Sequence, residues 1–480
     1  MRDSFVHAKG LTLAKFEYGS AKMQRLDGCF VYSASDLNDY LECKRLTELE
    51  ALVARKKALR PDPHDERAEL IRRKGEEHEQ QYLNGLIERY PDEVVQFDRA
   101  QPGVEQYRLA ERATLEAMQR GARVIYQATF FDGRFIGHAD FLRRVEKPSG
   151  LGSYGYEVVD TKLALAPKAY YLVQLCNYSE HLKRLQGCLP EFGHVVFGNG
   201  EEQRFRMNDY MAYYRHLKQT FLEYVSDPEF DQTDKAATYP FRCGHCEICP
   251  WDDACARQRA DDDHLSLVAW MRRDQIARFE AAGIERVTHL AAAVDRQRPN
   301  AMNPETFTKL RRQASLQVQG RASAEPIYEL LAHEPPLGFA LLPKPSPGDV
   351  FFDMEGDPLY EPGRSLEYLF GCWMPGDNPS FRPFWGLDRT REKRAFEEFV
   401  DFIIERRERY PALHVYHYAD YEKTALRRLA QAHCTREAEI DVLLRGEVLV
   451  DLFAVVRQAL AISEDGYGLK KVERLYKLER

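Results

Sequence analysis

The sequence lacks any apolar run long enough to cross a membrane. A membrane-spanning helix needs close to 20 apolar residues in succession, and no run of about 18 occurs in the chain. The opening segment, MRDSFVHAKGLTLAKF, also lacks the apolar stretch of a secretory signal. We therefore expect a cytoplasmic protein.

The chain also lacks an excess of positive charge, since 68 Lys and Arg residues face 76 Asp and Glu residues and the net charge is −8. Nucleic-acid affinity comes largely from Lys and Arg contacts to phosphates. Any such binding must therefore use local basic patches, and composition neither indicates nor excludes it. With 480 residues, of which 44% are hydrophobic, the chain is expected to form about two to four globular domains.

The cysteines are few but clustered. Four of the ten lie between Cys243 and Cys255. In a large chain without a secretory signal, such crowding favours metal or iron–sulfur ligation over a disulfide framework.

Hydrophobic periodicity and turn signals predict the elements of the first half of the chain. Helical spacing indicates helices, and Asp-Gly or Asn-Gly between β-rich runs indicates hairpins. In chain order we expect a helix over 33–58, a helix from Glu66 to Arg89, a hairpin at Asp132-Gly133, a third strand in YGYEVVDTKLAL, a helix in KAYYLVQLCNYSEHLKRLQG and a second hairpin at Asn199-Gly200.

The second half has a different pattern. Residues 261–332 are predicted to be helical, and FEAAGIERVTHLAAA is similar to a helix-hairpin-helix element that binds a nucleic-acid backbone. The Pro-rich stretch EPPLGFALLPKPSPGD is predicted to be a linker. From about Asp349 the order is three strands, a helix from Arg391 to Arg409, a strand, and helices that begin near Tyr421 and Asp451. This is the opening order of an RNase H-like fold.

The first set of candidate catalytic residues lies on two neighbouring β-runs. Asp140 occurs in GHADFL, and Asp160 and Lys162 occur in YEVVDTKLA. Residues two apart on a strand face the same side, so Asp160 and Lys162 should share one site while Thr161 points away from it. Two carboxylates close together repel, and a divalent cation such as Mg²⁺ or Mn²⁺ would reverse that repulsion. An isolated D-x-K is more often a solvated strand face, so the surrounding motifs decide the interpretation.

Those motifs are GEEHEQQYL, GHADFL, VVDTK and QLCNY. Their order and spacing resemble the RecB-family nucleases, including the CRISPR-associated RecB-like members, from residue 33 to about residue 260. The resemblance implies a PD-(D/E)XK restriction-endonuclease-like core. It also implies that His78 is a metal ligand, that Asp140 and Asp160 are metal-binding acids and that Lys162 is the catalytic lysine.

Two further residues match a motif of the same family. Gln174 and Tyr178 fit its Q-x-x-x-Y element, which implies that they help to hold the active site and DNA. Their spacing of four places them on one helical face. Glu157 is a rival to Asp160 for the second acid, although it stands five residues before Lys162 and fits the strand geometry less well.

The cysteine cluster reads Cys246-x2-Cys249-x5-Cys255, and three thiolates need one more ligand to complete a four-thiolate site. In RecB-like nucleases that hold an iron–sulfur cluster, the fourth cysteine comes from the amino-terminal helix. Cys43 stands in that place here. The resemblance therefore implies a [4Fe–4S] cluster that ties the first helix to the end of the domain.

A local alternative stays open at this point. Cys243 in place of Cys43 would give a zinc site of closely spaced thiolates, and His245 could substitute for one of them.

A second set of acids occurs in the last part of the chain. Asp353 and Glu355 lie two apart on a predicted strand, as the first motif of a two-metal exonuclease requires. YHYADYEKTAL resembles the second motif of DEDD-type exonucleases, which implies that Glu422 is a metal-linked acid, with Asp420 as its rival. Asp451, in LVDLFAVV, resembles a further acid of the same superfamily.

The chain departs from the DEDD pattern at its end. Those enzymes place their last acid on a helix beyond this region, whereas this sequence stops at Arg480 in the charged run LKKVERLYKLER. The arrangement resembles predicted RecB-family nucleases that carry an RNase H-like domain and continue into a superfamily 1 helicase. We therefore expect the amino-terminal part of a longer protein, with a truncated second domain that lacks one metal ligand and is inactive or structural.

Together these patterns predict an α/β chain of three parts: a RecB-like PD-(D/E)XK nuclease with its cysteine cluster over 1–260, a helical linker domain over 261–335, and an incomplete RNase H-like, DEDD exonuclease-type domain over 348–480. The predicted function is a Mg²⁺- or Mn²⁺-dependent DNA exonuclease that acts on single strands or ends in repair, recombination or defence. A superfamily 1 helicase is expected in the same or a partner chain. The alternative is a DNA-binding iron–sulfur module with weak or no nuclease activity that serves a partner helicase.

Overall fold

A computed structural model gives the fold of the chain. It describes residues 22–61, 66–227, 230, 236–323, 325–332, 335–361, 364–376 and 378–476. The opening segment and the last four residues of the charged run at the end, on which two of the sequence predictions rest, lie outside these ranges. Two compact units are present, Met1–Trp251 and Asp252–Arg480. The predicted three-part division stays a prediction.

The first unit is built around a six-stranded sheet in the order β3-β4-β5-β6-β7-β8. Within it β3 is parallel to β4, β6 is parallel to β7, and the other neighbours are antiparallel. The elements of this unit are β1 Gln24–Leu26, β2 Cys29–Val31, α1 Ala34–Glu42, α2 Lys44–Ala54, α3 Glu66–Arg89, β3 Val94–Gln96, α4 Val104–Gln119, β4 Val124–Phe131, β5 Ile136–Val145, β6 Gly155–Lys162, α5 Ala169–Gln186, β7 Phe192–Phe197, β8 Glu202–Arg206 and α6 Met207–Val225.

Both faces of this sheet are covered. Alternation along β6 sends Val158 into the larger core, which includes Leu175 and Leu182 of α5, and sends Val159 into a smaller cluster with Leu83 and Leu86 of α3. A sheet buried on both faces explains why its strands read as almost continuous apolar runs. Asp160, near the end of β6, therefore shares the face of Val158 and lies on the α5 side of the sheet.

The two predicted hairpins and the helices α3 and α5 are confirmed, but the predicted helix over 33–58 is wrong. It is two helices, α1 and α2, that meet at Cys43, whose backbone is extended with φ −157 and ψ 107. The break changes the chain direction, and Leu37 of α1 and Ala51 of α2 both reach the main core. Helix α4 and strand β3, which precede β4, were not predicted.

The second unit contains a five-stranded sheet in the order β12-β11-β10-β13-β14. Strand β11 is antiparallel to both of its neighbours, β12 and β10. Strands β13 and β14 run parallel to β10. The elements are α7 Asp252–Asp261, α8 Arg273–Ala281, α9 Val287–Ala292, α10 Pro304–Arg321, β9 Tyr328–Leu330, β10 Val350–Glu361, β11 Arg364–Met374, β12 Ser380–Trp385, α11 Arg389–Arg409, β13 Val415–His417, α12 Tyr421–His433, α13 Glu437–Arg445, β14 Leu449–Asp451, α14 Leu452–Ala459, β15 Leu460–Ile462 and α15 Leu469–Val472.

One face of this sheet packs against α11. Phe352 of β10 stacks on Phe399 of α11 with ring centroids 4.3 Å apart. Because side chains alternate along a strand, Phe351, Asp353 and Glu355 of β10 point to the other side, where they are exposed. We call that side the open face.

The stretch before this domain was predicted to be a linker without regular structure, and that prediction is wrong. A 3-10 helix, Gly338–Leu341, lies against α14, where Gly338 N donates to Gln458 Oε1 at 3.2 Å. Strand β9 pairs antiparallel with β15. The predicted helix–Gly–Ile–helix order is present, with Gly283 at φ +79 between α8 and α9. Within the described ranges, no helix is both long and apolar enough to cross a membrane.

Candidate active sites

The first site lies where β5 and β6 separate. Their last pair in this direction is Phe141 with Val159, whereas β6 goes on pairing with β7 as far as Lys162. In the fork, Asp140 Oδ2 accepts hydrogen bonds from Thr161 N at 2.9 Å and from Thr161 Oγ1 at 3.0 Å. The expectation that Thr161 points away from the site is wrong, because the carboxylate of Asp140 takes the place of a β5 ladder partner.

Asp160 and Lys162 lie beside this fork. Asp160 is completely buried, and its Oδ2 forms an ion pair with Lys162 Nζ. Its Oδ1 accepts a hydrogen bond from Gln174 Nε2 at 3.3 Å, and the same nitrogen donates to Tyr178 Oη at 3.0 Å. The structure therefore brings Asp140, Asp160, Lys162, Gln174 and Tyr178 together, as the sequence predicted, while their roles stay predictions.

The electrostatics of this site follow from its burial. Burial raises the pKa of Asp160, Lys162 opposes the rise and the nearby Asp140 adds to it, and the net pKa is about 8. Burial would lower the pKa of Lys162, but Asp160 and Asp140 outweigh burial and raise it. Two carboxylates thus share one ammonium group in a water-poor setting, and a second cation would stabilise the charge that is left.

A glutamate that the sequence analysis missed approaches the site from α3. Burial, followed by repulsion from Asp140, raises the pKa of Glu79, and Gln127 Nε2 donates to Glu79 Oε1 at 2.6 Å. The neighbouring His78 instead places its Nε2 3.3 Å from Val196 O on β7. Helical spacing could have identified Glu79, since it lies four residues before Leu83 on the buried face of α3. A metal-binding role for His78 stays a prediction.

Glu157, the rival to Asp160, has other partners. His194 Nε2 lies 2.9 Å from Glu157 Oε2, and Phe192 N donates to Glu157 Oε1 at 3.2 Å. Because it is an odd number of residues from Asp160 on the same strand, Glu157 faces the α3 side of the sheet. Asp160 is therefore the better partner for Asp140.

The second site is on the open face of the second unit. Desolvation raises the pKa of Asp353, and repulsion from Glu422 and then from Glu355 adds to the shift. The side chain of Glu422, on the first turn of α12, is only 5% exposed. Its Oε2 is buried and accepts no hydrogen bond from any described residue. Such an oxygen is an acceptor in need of a cation or donor.

His417, on β13, completes this group. Its Nδ1 lies 2.6 Å from Ala419 O and 3.4 Å from Glu422 Oε2. Its Nε2 is buried without a hydrogen-bond partner in the part of the chain that the structure describes. The sequence analysis missed His417, although it stands five residues before Glu422 in the motif that was singled out.

The remaining acids of this region have local partners. Asp420 is exposed and accepts a hydrogen bond from Thr424 Oγ1 at 3.3 Å. Asp451 Oδ1 accepts from Ala419 N and from Phe453 N, both at 2.9 Å, and so caps α14 and braces the loop after β13. Glu422 rather than Asp420 is thus the acid beside Asp353.

The donor atoms of both sites suit a hard divalent cation, because Mg²⁺ and Mn²⁺ prefer carboxylate oxygens. The buried oxygen of Glu422 and the buried carboxylate of Asp160 are of that kind. Over the described ranges, no group of three or more His, Cys, Asp or Glu residues is already arranged to hold a metal ion. Each site therefore offers a pair of acids rather than a finished coordination shell.

The predicted cysteine ligands lie in both units, with Cys255 on α7 of the second. In the first unit, Cys246 Sγ lies 4.0 Å from Cys243 Sγ and accepts a hydrogen bond from Cys243 N at 3.4 Å. Cys43 occupies the break between α1 and α2. The structure brings the sulfurs of Cys243 and Cys246 close to each other, as the local zinc alternative requires of these two residues.

Hydrogen bonds hold the cysteine segment against α2. Thr238 N and Oγ1 donate to Glu48 Oε2 at 2.9 and 2.8 Å, and Trp251 Nε1 donates to Glu50 Oε1 at 3.2 Å. The end of the first unit is therefore joined to the helix that follows Cys43.

Residues 350–480 match the family model RNase_H_2, which describes the RNase H superfamily. No curated protein matches the chain. The prediction of an RNase H-like domain in the last part of the chain is thus confirmed, and a domain of this superfamily indicates a nuclease-type activity. The RecB-like assignment of the first unit stays a prediction.

Proposed function

We propose that the chain is a nuclease that hydrolyses phosphodiester bonds of DNA, on single strands or at ends, with Mg²⁺ or Mn²⁺. The observation that carries the proposal is the approach of Asp353 to Glu422 within the residues that match the RNase H superfamily. Asp353 is exposed and Glu422 is buried with an oxygen that lacks a hydrogen bond, so the pair can receive a cation from solvent.

In the second unit, Asp353 and Glu422 would hold the metal, with Glu355 beside them on the open face. A bound divalent ion activates a water and stabilises the charge on the phosphoryl group. The chain itself fixes these acids: β10 sets the direction of Asp353, and the first turn of α12 sets that of Glu422. His417 contacts Glu422, with its Nδ1 3.4 Å from Glu422 Oε2.

In the first unit we propose a second nuclease centre of the PD-(D/E)XK kind. Asp140 and Asp160 would hold the metal, and Lys162 would orient the attacking water. Support comes from the fork between β5 and β6, which gathers these groups, and from Gln174, which holds Asp160 in place. Removing an orienting group of this kind typically costs about 10²- to 10⁴-fold in rate.

Two finer proposals rest on the resemblance to RecB-like nucleases. One is a [4Fe–4S] cluster held by Cys43, Cys246, Cys249 and Cys255, with zinc on a local set that includes Cys243 as the alternative. The other is a superfamily 1 helicase, in the same or a partner chain, that supplies single strands during repair, recombination or defence.

The experiment compares Lys162→Ala, Asp353→Asn and the double variant with wild type, using labelled single-stranded and duplex DNA with Mn²⁺. The matched control for the first site is Glu157→Gln, which changes an acid on β6 that contacts His194 instead of the site. The matched control for the second site is Asp420→Asn, which changes an acid at the start of α12 that accepts a hydrogen bond from Thr424. We expect each test variant to lose one cleavage activity and the double variant to lose all of it. A wild-type chain that binds DNA but cuts neither substrate would overturn the proposal in favour of a DNA-binding module.

A further inference from the structure

The open face of the second unit carries a row of aromatic side chains. Strand pairing sets Phe351 beside Trp373 and Trp373 beside Phe381, so the three rings come from three adjacent strands. They are 42%, 45% and 55% exposed, respectively. Large aromatic side chains are normally buried, and a contiguous exposed group of them marks a binding surface. We call these three residues the aromatic row.

The aromatic row borders the acids. Asp353 lies two residues beyond Phe351 on β10 and pairs with Gly371 of β11. Two residues along a strand span roughly 6.6 Å and point to the same face. A ligand that lies across the rings therefore needs to extend only two residues further along β10 to reach the carboxylate of Asp353 and its neighbour Glu422.

The shape of the surface also suits a flat ligand. Gly371 has no side chain, and a Cβ atom at its position would lie 3.2 Å from Phe381 Cε2. The ring of Phe381 therefore occupies the space over Gly371, the residue that pairs with Asp353. Phe351 stacks on Tyr416 with ring centroids 5.2 Å apart and an interplanar angle of 25°, which fixes the orientation of its ring. The ring of Phe351 is thus held in place and does not have to be ordered by the ligand.

We propose that the aromatic row binds the bases of a single-stranded nucleic acid and so delivers the adjoining phosphate to Asp353 and Glu422. This inference rests on the proposed nuclease function and names the strand state of its substrate. Base stacking on aromatic side chains is the common device for holding single strands without reading their sequence, because every base has a flat face. A duplex hides those faces and so gains little from this surface.

The test measures binding without cleavage. The full chain in EDTA is titrated with oligothymidylate and, separately, with an abasic oligomer of equal length that keeps the phosphates and lacks the bases. Phe351→Ala and Trp373→Ala are compared with Phe351→Tyr, which keeps the ring, and with Tyr328→Ala. Tyr328 is an aromatic residue of similar exposure, 54%, on the separate β9–β15 sheet.

We expect each alanine variant to bind oligothymidylate at least about fivefold more weakly, which corresponds to the lower end of the stacking energy of one base. Phe351→Tyr and Tyr328→Ala should bind as wild type does, and the abasic oligomer should bind weakly and equally to all. A matching set with oligouridylate shows whether the surface accepts both DNA and RNA. Melting temperatures check that the variants fold, which their exposed positions favour.

Three results would overturn the inference. The alanine variants could bind oligothymidylate as tightly as wild type, or the abasic oligomer could bind as tightly as the one with bases. The third is a wild-type dimer that Trp373→Ala breaks without any change in oligonucleotide binding, which would make the face an interface between copies. If wild type still cleaves single strands with Mn²⁺ in any of these cases, the aromatic row alone fails. If it cleaves neither single-stranded nor duplex DNA, the proposed function fails as well.

Discussion

Thr161 donates both its backbone N–H and its hydroxyl to one oxygen, Oδ2 of Asp140, at 2.9 and 3.0 Å. The bonds bridge the fork where β5 and β6 separate. Asp140 is therefore positioned by the strand that carries Asp160 and Lys162. This arrangement preorganises one acid of the site.

The first prediction concerns this hydroxyl. Thr161→Val keeps the shape of the side chain and removes its donor, so Asp140 loses one of two hydrogen bonds. We expect the free energy of unfolding to fall by about 1 kcal/mol, measured by urea titration, and the cleavage assigned to the first unit to slow. Thr161→Ser keeps the donor and should behave like wild type. A Thr161→Val protein with unchanged stability and cleavage would show that the backbone N–H alone holds Asp140.

The second prediction concerns metal binding at the second site. Asp353→Asn and Glu422→Gln each remove a carboxylate from the pair, and we expect Mn²⁺ affinity to fall by at least roughly tenfold in calorimetric titrations. Neither change should lower the melting temperature of the metal-free protein, because each relieves the repulsion that raises the pKa of Asp353. Asp420→Asn, which changes an exposed acid bonded to Thr424, is the control and should bind as wild type does. Equal Mn²⁺ affinity in all three variants would show that Asp353 and Glu422 do not bind the metal.

The parts of these sites that the sequence predicted depend on local rules. Side-chain alternation alone placed Asp160 with Lys162, and Asp353 with Glu355, on common faces. The Asp132-Gly133 turn signal likewise predicted the hairpin of β4 and β5. Each of these inferences needs only neighbouring residues, and each holds in the structure.

The parts that could not be predicted depend on tertiary packing. The break at Cys43 lets both α1 and α2 pack against one core. The hydrogen bonds from Thr161 to Asp140 form because β5 and β6 diverge at this point. Glu79 and His417 come from elements outside the strands that carry the aspartates. Periodicity places Glu79 on the buried face of α3, but whether Glu79 and His417 reach the aspartates depends on where α3 and β13 pack, which periodicity does not give.

The third prediction concerns the cysteines. If Cys43 and Cys249 hold the same inorganic centre, Cys43→Ser and Cys249→Ser should reduce its metal content and the melting temperature alike, while Cys243→Ser leaves both unchanged. The chain is purified without oxygen, and iron and zinc are measured together with visible absorbance. The hydrogen bonds of Glu48 and Glu50 also hold the segment against α2, so the variants should still fold. Loss of zinc in Cys243→Ser and Cys249→Ser, but not in Cys43→Ser, would identify the local site.

The last prediction concerns the pH dependence of stability in the first unit. His194 lies between two glutamates, with Nε2 2.9 Å from Glu157 Oε2 and Nδ1 2.8 Å from Glu202 Oε1, and Arg143 Nη2 lies 3.0 Å from Nδ1. Burial lowers the pKa of His194, but the glutamates outweigh burial and Arg143, and the net pKa is raised. His194 first, and then Arg143, lower the pKa of Glu202.

The two shifts act on opposite sides of a pH window. A histidine with a raised pKa stabilises the fold fully below its unfolded pKa of 6.5 and loses that contribution as pH rises through the folded value. A glutamate with a lowered pKa stabilises the fold above its unfolded pKa of 4.5 and loses that contribution as pH falls. The group should therefore stabilise the fold most between pH 4.5 and 6.5, and urea midpoints measured against pH should fall on both sides. His194→Gln should flatten the alkaline fall, whereas His216→Gln, at an exposed position, should keep the wild-type profile. An alkaline fall that persists unchanged in His194→Gln would assign the dependence to another group.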